Sequence, residues 1–91
     1  MRIREFEWDD GNVTHLRSSH GVEPEEAEEV LVDAPVIRRT KMGHYAAFGP
    51  TLDGRYLVIL YENKGRGTIR PITGWDMSRS ERRYYRKSTG G

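Results

Sequence analysis

Between Tyr56 and Tyr61 the side chains are almost all apolar, a short run that predicts a central strand covered on both faces. Turn signals bracket it, Leu52-Asp53-Gly54 before and Asn63-Lys64-Gly65-Arg66-Gly67 after. Val36–Thr40 and His44–Phe48, joined by the Lys41-Met42-Gly43 turn, read as two further strands, and Thr68–Thr73 as a fourth. Connections this short imply an antiparallel meander. Pro71 cannot donate to a ladder, so the last strand is expected at an edge or with a bulge there. The opening segment Arg2–Trp8 mixes Ile3, Phe6 and Trp8 with charges and reads as an edge or half-buried strand.

Helical spacing appears in three places. After a turn over Asp9–Asn12, Val13, Leu16 and His20 fall on one stripe of a short helix that Gly21 stops. Pro24 opens a second helix to about Val32 or Asp33, with Ala27, Val30 and Leu31 inward and Glu25, Glu26, Glu28 and Glu29 crowding its early turns. Asp33-Ala34-Pro35 ends it. Near the end of the chain, Ser78 with Glu81 is a capping-box signature that predicts a third helix through about Lys87, followed by a frayed tail over Ser88–Gly91. The expected fold is α+β in one domain over residues 1–91: an antiparallel sheet of about four to five strands, two N-terminal helices and one C-terminal helix.

Charge changes this picture more than composition does. The formal net charge is +1, yet residues 1–33 carry three arginines against ten acids, a balance of −7. Residues 34–91 carry twelve lysines and arginines against four acids, a balance of +8. Such a dipole suggests one basic surface suited to a polyanion beside an acidic surface with another role. There is no cysteine, hence no disulfide, thiolate metal site or thiol nucleophile, which fits a reducing cytosol. No apolar run is long enough to span a bilayer, and the first residues lack the apolar core of a signal peptide, so a cytoplasmic protein is expected.

The sharpest chemical feature is the third helix. Arg79, Arg82, Arg83 and Arg86 share one of its faces, while Tyr84 and Tyr85 turn toward other surfaces. Four guanidiniums so placed suit phosphate; the alternative is a solvated terminal helix whose cations complement its own dipole. His20, on an apolar stripe, is either a buried hydrogen-bonded histidine or a proton-transfer group. The glutamate run of the second helix reads as a solvated face rather than an acid–base pair, and nothing stands at metal-ligand spacing.

Four collinear segments carry a resemblance: Phe6–Asp10 (FEWDD), His20–Leu31 (HGVEPEEAEEVL), Gly54–Tyr61 (GRYLVILY) and Ile69–Arg86 (IRPITGWDMSRSERRYYR). In these the chain resembles the BrnT-like toxins of prokaryotic toxin and antitoxin pairs. The resemblance implies a RelE-like ribonuclease fold, an RNA substrate and a small antitoxin as partner, and the leading reading is an endoribonuclease toxin that uses no cofactor or metal. It matches at His20, Gly21, Gly54, Arg55, Arg70, Glu81, Arg82 and Tyr84, and departs at Ser19 and Trp75, where many members carry a lysine and an arginine. The expected catalytic set is His20, Arg70, Arg82 and Tyr84, with Arg55, Trp75, Arg79, Arg83 and Arg86 as RNA contacts. Trp75 is either a stacking platform for a base or ordinary core. The alternative function is a non-catalytic RNA- or DNA-binding or antitoxin-interacting module.

Overall fold

The structure, a computed structural model, describes residues 2–90. A two-residue strand, β1 (Glu5–Phe6), leads into two helices, α1 (Asp10–His20) and α2 (Pro24–Val32). Then come β2 (Val36–Arg39), β3 (Tyr45–Pro50), β4 (Tyr56–Gly65), β5 (Thr68–Asp76) and a final helix, α3 (Arg79–Ser88). The strands form one sheet in the order β1-β5-β4-β3-β2, so the apolar run at Tyr56–Tyr61 does lie in the central strand. β2 to β5 form the expected meander, but β1 joins β5 in parallel and the five-stranded sheet is mixed. A hairpin constrains only neighbours in sequence; β1 leaves through two helices, a connection long enough to reach either direction.

α1 and α2 cover one face of the sheet. Leu16, Val22, Ala27, Val30 and Leu31 bury against Ala47, Leu57, Ile59, Tyr61 and Ile69. Each large apolar side chain of this layer contributes about 1.5–3 kcal/mol by leaving water. The other face carries a smaller layer in which Ala46, Phe48, Val58 and Met77 meet Tyr84 and Tyr85 of α3. Gly74 admits α1 close to the sheet, since a Cβ there would stand 2.7 Å from Ile59 Cδ1 and 3.3 Å from Leu16 Cδ2.

The local signals decide the boundaries. Asp9 and Asn12 form a capping box at the start of α1. Asn12 is buried there because its Nδ2 also donates to the carbonyls of Glu7 and Pro71. Pro71 does mark a bulge: the β4–β5 register shifts between Leu60 and Tyr61, whose partners are Thr73 and Pro71. His20 departs from its expected place on the buried stripe; it is exposed at the last position of α1, and Leu16 and Asn12 supply the inner face instead. At the other terminus α3 takes in Ser88, and the N–H and hydroxyl of Thr89 donate to the carbonyls of Tyr85 and Arg86. Gly91, part of the expected frayed tail, lies outside the described residues. No helix among those residues is long and apolar enough to cross a membrane.

Candidate nucleic-acid interface

α3 lies on the sheet by one edge and turns its charge outward. The Ser78 hydroxyl accepts the Glu81 N–H at 3.2 Å and a Glu81 carboxylate oxygen accepts the Ser78 N–H at 2.8 Å, closing the predicted capping box. The same carboxylate accepts the indole N–H of Trp75, with Nε1 at 3.2 and 3.3 Å from its two oxygens. Tyr84 packs on Phe48 with ring centroids 5.0 Å apart, and Tyr85 on Tyr56 at 6.0 Å. With Glu81, Tyr84 and Tyr85 facing inward, Arg79, Arg83 and Arg86 stand in solvent. Arg82 folds back so that its guanidinium carbon lies 4.5 Å from the centre of the Tyr56 ring.

Between α3 and the β2–β3 hairpin the sheet is left open as a groove of ≈360 Å³. Its floor is Ala46, Phe48, Val58 and Leu60; Trp75 and Glu81 form one wall, and Arg38, Arg39, Thr40 and Lys41 the other. Arg38 reaches across to place its guanidinium carbon 5.3 Å from the centre of the Tyr84 ring.

The distribution of ion pairs gives this groove its character. Among the described residues, salt bridges engage Arg17, Arg55, Lys64 and Arg70. None engages Arg38, Arg39 or Lys41 in the groove wall, or Arg79, Arg82, Arg83, Arg86 or Lys87 on α3. Arg2, Arg4 and Arg66 are likewise outside such pairs, but lie toward the β4–β5 hairpin tip and the start of the chain. The face of the sheet under α3 therefore concentrates cations that no carboxylate among the described residues neutralises.

Two of the expected site arginines are committed elsewhere. Arg55 donates to both oxygens of Asp76 at 2.8 and 2.9 Å, to Glu26 at 3.0 Å, and to the carbonyls of Gly21 and His20 at 2.9 and 3.3 Å. It ties the ends of α1, α2 and β5 together. The hydrogen bonds to Asp76 strengthen its hold on its proton, and Arg55 in turn holds the Asp76 carboxyl below the usual range. Arg70 donates to Asp9 at 2.8 Å and Glu7 at 3.1 Å, near the β1 edge, and does not line the groove. The hydrogen bond from Arg70 is the main cause of the lowered pKa of Asp9.

The remaining candidates do gather near α3. His20, at the end of α1, has its ring 6.2 Å from Trp75 and 6.1 Å from His15. Trp75 is half-buried, hydrogen-bonded and on the groove wall, so it is a fixed part of that wall. Arg38, Arg39, Lys41 and Glu81 escaped the sequence reading as site residues. The run Arg38-Arg39-Thr40-Lys41 was the available signal, since three cations in four positions of an edge strand and its turn is a dense patch. Glu81 was legible only as a cap. Among the described residues no group of three or more His, Asp or Glu is placed to hold a metal ion.

No family model and no curated protein matches this chain. Among solved structures it is similar to the 1.1 Å crystal structure of the Brucella abortus ribonuclease toxin BrnT, with a TM-score of 0.69. The fold is BrnT-like. The match covers 82% of this chain and 97% of the toxin at 17% sequence identity, so it is a likeness of backbone. A BrnT-like scaffold is what the collinear segments implied, and the groove between α3 and β2–β3 is built on it.

Proposed function

We propose that this chain is an endoribonuclease toxin that cleaves RNA without a metal ion and is masked by a small antitoxin. The observation that carries this reading is the set of unneutralised cations on the groove wall and α3, facing an open apolar floor. The BrnT-like fold supports it independently. In the cleavage reaction the ribose 2′-oxygen attacks the adjacent phosphorus while its proton passes to a base. The bond from phosphorus to the 5′-oxygen breaks, and that oxygen takes up a proton, leaving a 2′,3′-cyclic phosphate and a free 5′-hydroxyl.

Arginine rarely gives up its proton, but its planar fork matches the charge that builds on the phosphate oxygens. Arg38 and Lys41 bind and stabilise that phosphate in this reading, while Arg79, Arg82, Arg83 and Arg86 on α3 hold the flanking strand. Glu81, whose carboxylate lines the groove, and His20, whose ring lies against Trp75, are the proton-transfer groups. Tyr84, between Phe48 and Arg38, positions α3.

The test is turnover of an RNA substrate in EDTA. The expected products carry cyclic phosphate ends, and Arg38→Ala, Lys41→Ala and Glu81→Gln each lower kcat/KM by roughly 10²-fold, with folding checked by circular dichroism. Cleavage that does not co-purify with the protein overturns the enzyme reading. A non-catalytic RNA-binding module is the second reading, favoured by the packing of Tyr84 against Phe48 and Arg38 and by the absence of His20 from the groove lining. It predicts salt-dependent binding with no cleavage, and co-expression with an antitoxin that blocks binding in either case.

A further inference from the structure

At the tip of the β2–β3 hairpin, Met42 combines two unfavourable features. Its backbone is left-handed, with φ 65° and ψ 21°, a region that L side chains other than Asn and Asp adopt at a cost. Its side chain is 90% exposed, so packing inside the chain does not offset that cost. A single exposed apolar residue is ordinary, and a single left-handed residue occurs in many turns. Their coincidence at one position is not explained by stability, for glycine or asparagine would serve this turn better.

The turn is also held in one shape. The Thr40 N–H donates to the His44 carbonyl at 2.9 Å, and the Thr40 hydroxyl lies 2.9 Å from that carbonyl and 3.1 Å from the Lys41 carbonyl. Thr40 and Lys41, which fix the tip, are themselves on the groove wall, and Arg38 and Arg39 precede them. This hydrogen-bonded tip thus carries a soft, polarisable thioether one residue from Lys41 of the groove wall. Phosphate binds such a cation, and in single-stranded RNA a base lies one sugar away from each phosphate. The flat face of a base is the surface a methionine side chain can cover.

We infer that the Lys41-Met42-Gly43 turn is a base clamp for single-stranded RNA, in which Met42 packs on the base next to the phosphate held by Arg38 and Lys41. This rests on the groove being the RNA site.

The experiment measures binding of a fluorescent 2′-O-methyl RNA oligonucleotide, which cannot be cleaved, by the intact chain and by Met42→Asn and Met42→Leu. Met42→Asn is expected to weaken binding roughly three- to tenfold while raising the melting temperature by a few degrees. The dependence of its affinity on salt stays that of the parent, because no phosphate contact is removed. Met42→Leu, which keeps an apolar side chain of similar volume, binds within about twofold of the parent. An oligonucleotide with abasic sites abolishes the difference between the parent and Met42→Asn. Equal affinity of Met42→Asn and the parent for the base-bearing strand overturns the clamp and leaves the RNA site standing. No binding by the parent overturns both.

Discussion

At the scale of single residues, the arginines of this chain divide by what they already hold. Arg55 is the clearest of the committed kind, with two carboxylates and two helix-end carbonyls around one guanidinium. Those carbonyls close α1, which otherwise ends in solvent at His20. Arg55→Ala is expected to cost about 1–2 kcal/mol, a figure kept low because Asp76 is largely exposed. Its pH signature is more telling than its size. The Asp76 carboxyl sits below its ordinary value of 3.8 in the folded chain because Arg55 stabilises the carboxylate. The contribution is therefore complete above that value and is lost as the pH falls through the lower folded value. Thermal melts from pH 6 down to pH 2 check this: the parent loses more stability below about pH 4 than Arg55→Ala does. Parallel curves refute the assignment.

At the scale of elements, α3 is bound by a cap and two aromatic contacts rather than by a buried stripe, since none of its residues is buried. Ser78→Ala removes the hydroxyl acceptor of the Glu81 N–H and is expected to cost about 1 kcal/mol. Because the layer under α3 is the smaller of the two, that loss concentrates in local opening. Hydrogen exchange of the α3 amides should accelerate about fivefold, while the amides of β4 keep their protection. Uniform acceleration across both elements argues against a separately opening helix. The same comparison explains what could be read from the sequence. The Ser78–Glu81 cap, the arginine face of α3, the central apolar strand and the bulge at Pro71 are set by local rules of spacing and hydrogen-bonding capacity. The direction of β1 and the exposure of His20 are set by contacts far away in the chain, such as the hydrogen bond from Asn12, on the inner face of α1, to the Pro71 carbonyl of β5. The groove wall at Arg38–Lys41 was missed for the same reason, because an edge strand becomes a site only when another element, here α3, stands opposite it.

At the scale of the whole molecule, the charge asymmetry of the sequence acts in two ways. Part of it stitches the acidic first third to the rest, through Arg70 with Glu7 and Asp9 and Arg55 with Glu26. The α2 glutamates are similarly engaged: Glu28 accepts the Trp8 indole at 2.7 Å and Glu29 the Leu52 N–H at 3.0 Å. What is left over is the row of unpaired cations on the groove and α3. If these track an RNA backbone, binding must release counterions in proportion to the phosphates met, with log K falling by about 0.7 per phosphate for each unit of log salt. A strand meeting four phosphates would show a slope of about −3 with the uncleavable oligonucleotide. Arg38→Ala and Arg83→Ala should each flatten the slope by about 0.7, because each removes one contact. Arg66→Ala, which lies with Ile37, Tyr45 and Ile69 away from the groove, and Arg70→Ala, whose guanidinium is already neutralised, should leave it unchanged. A slope that responds equally to all four substitutions would mean that the chain attracts RNA through its general field, not through the groove. Two sensitive positions, one on β2 and one on α3, and two silent ones at the β4–β5 turn and on β5, would trace the path of the strand across the molecule.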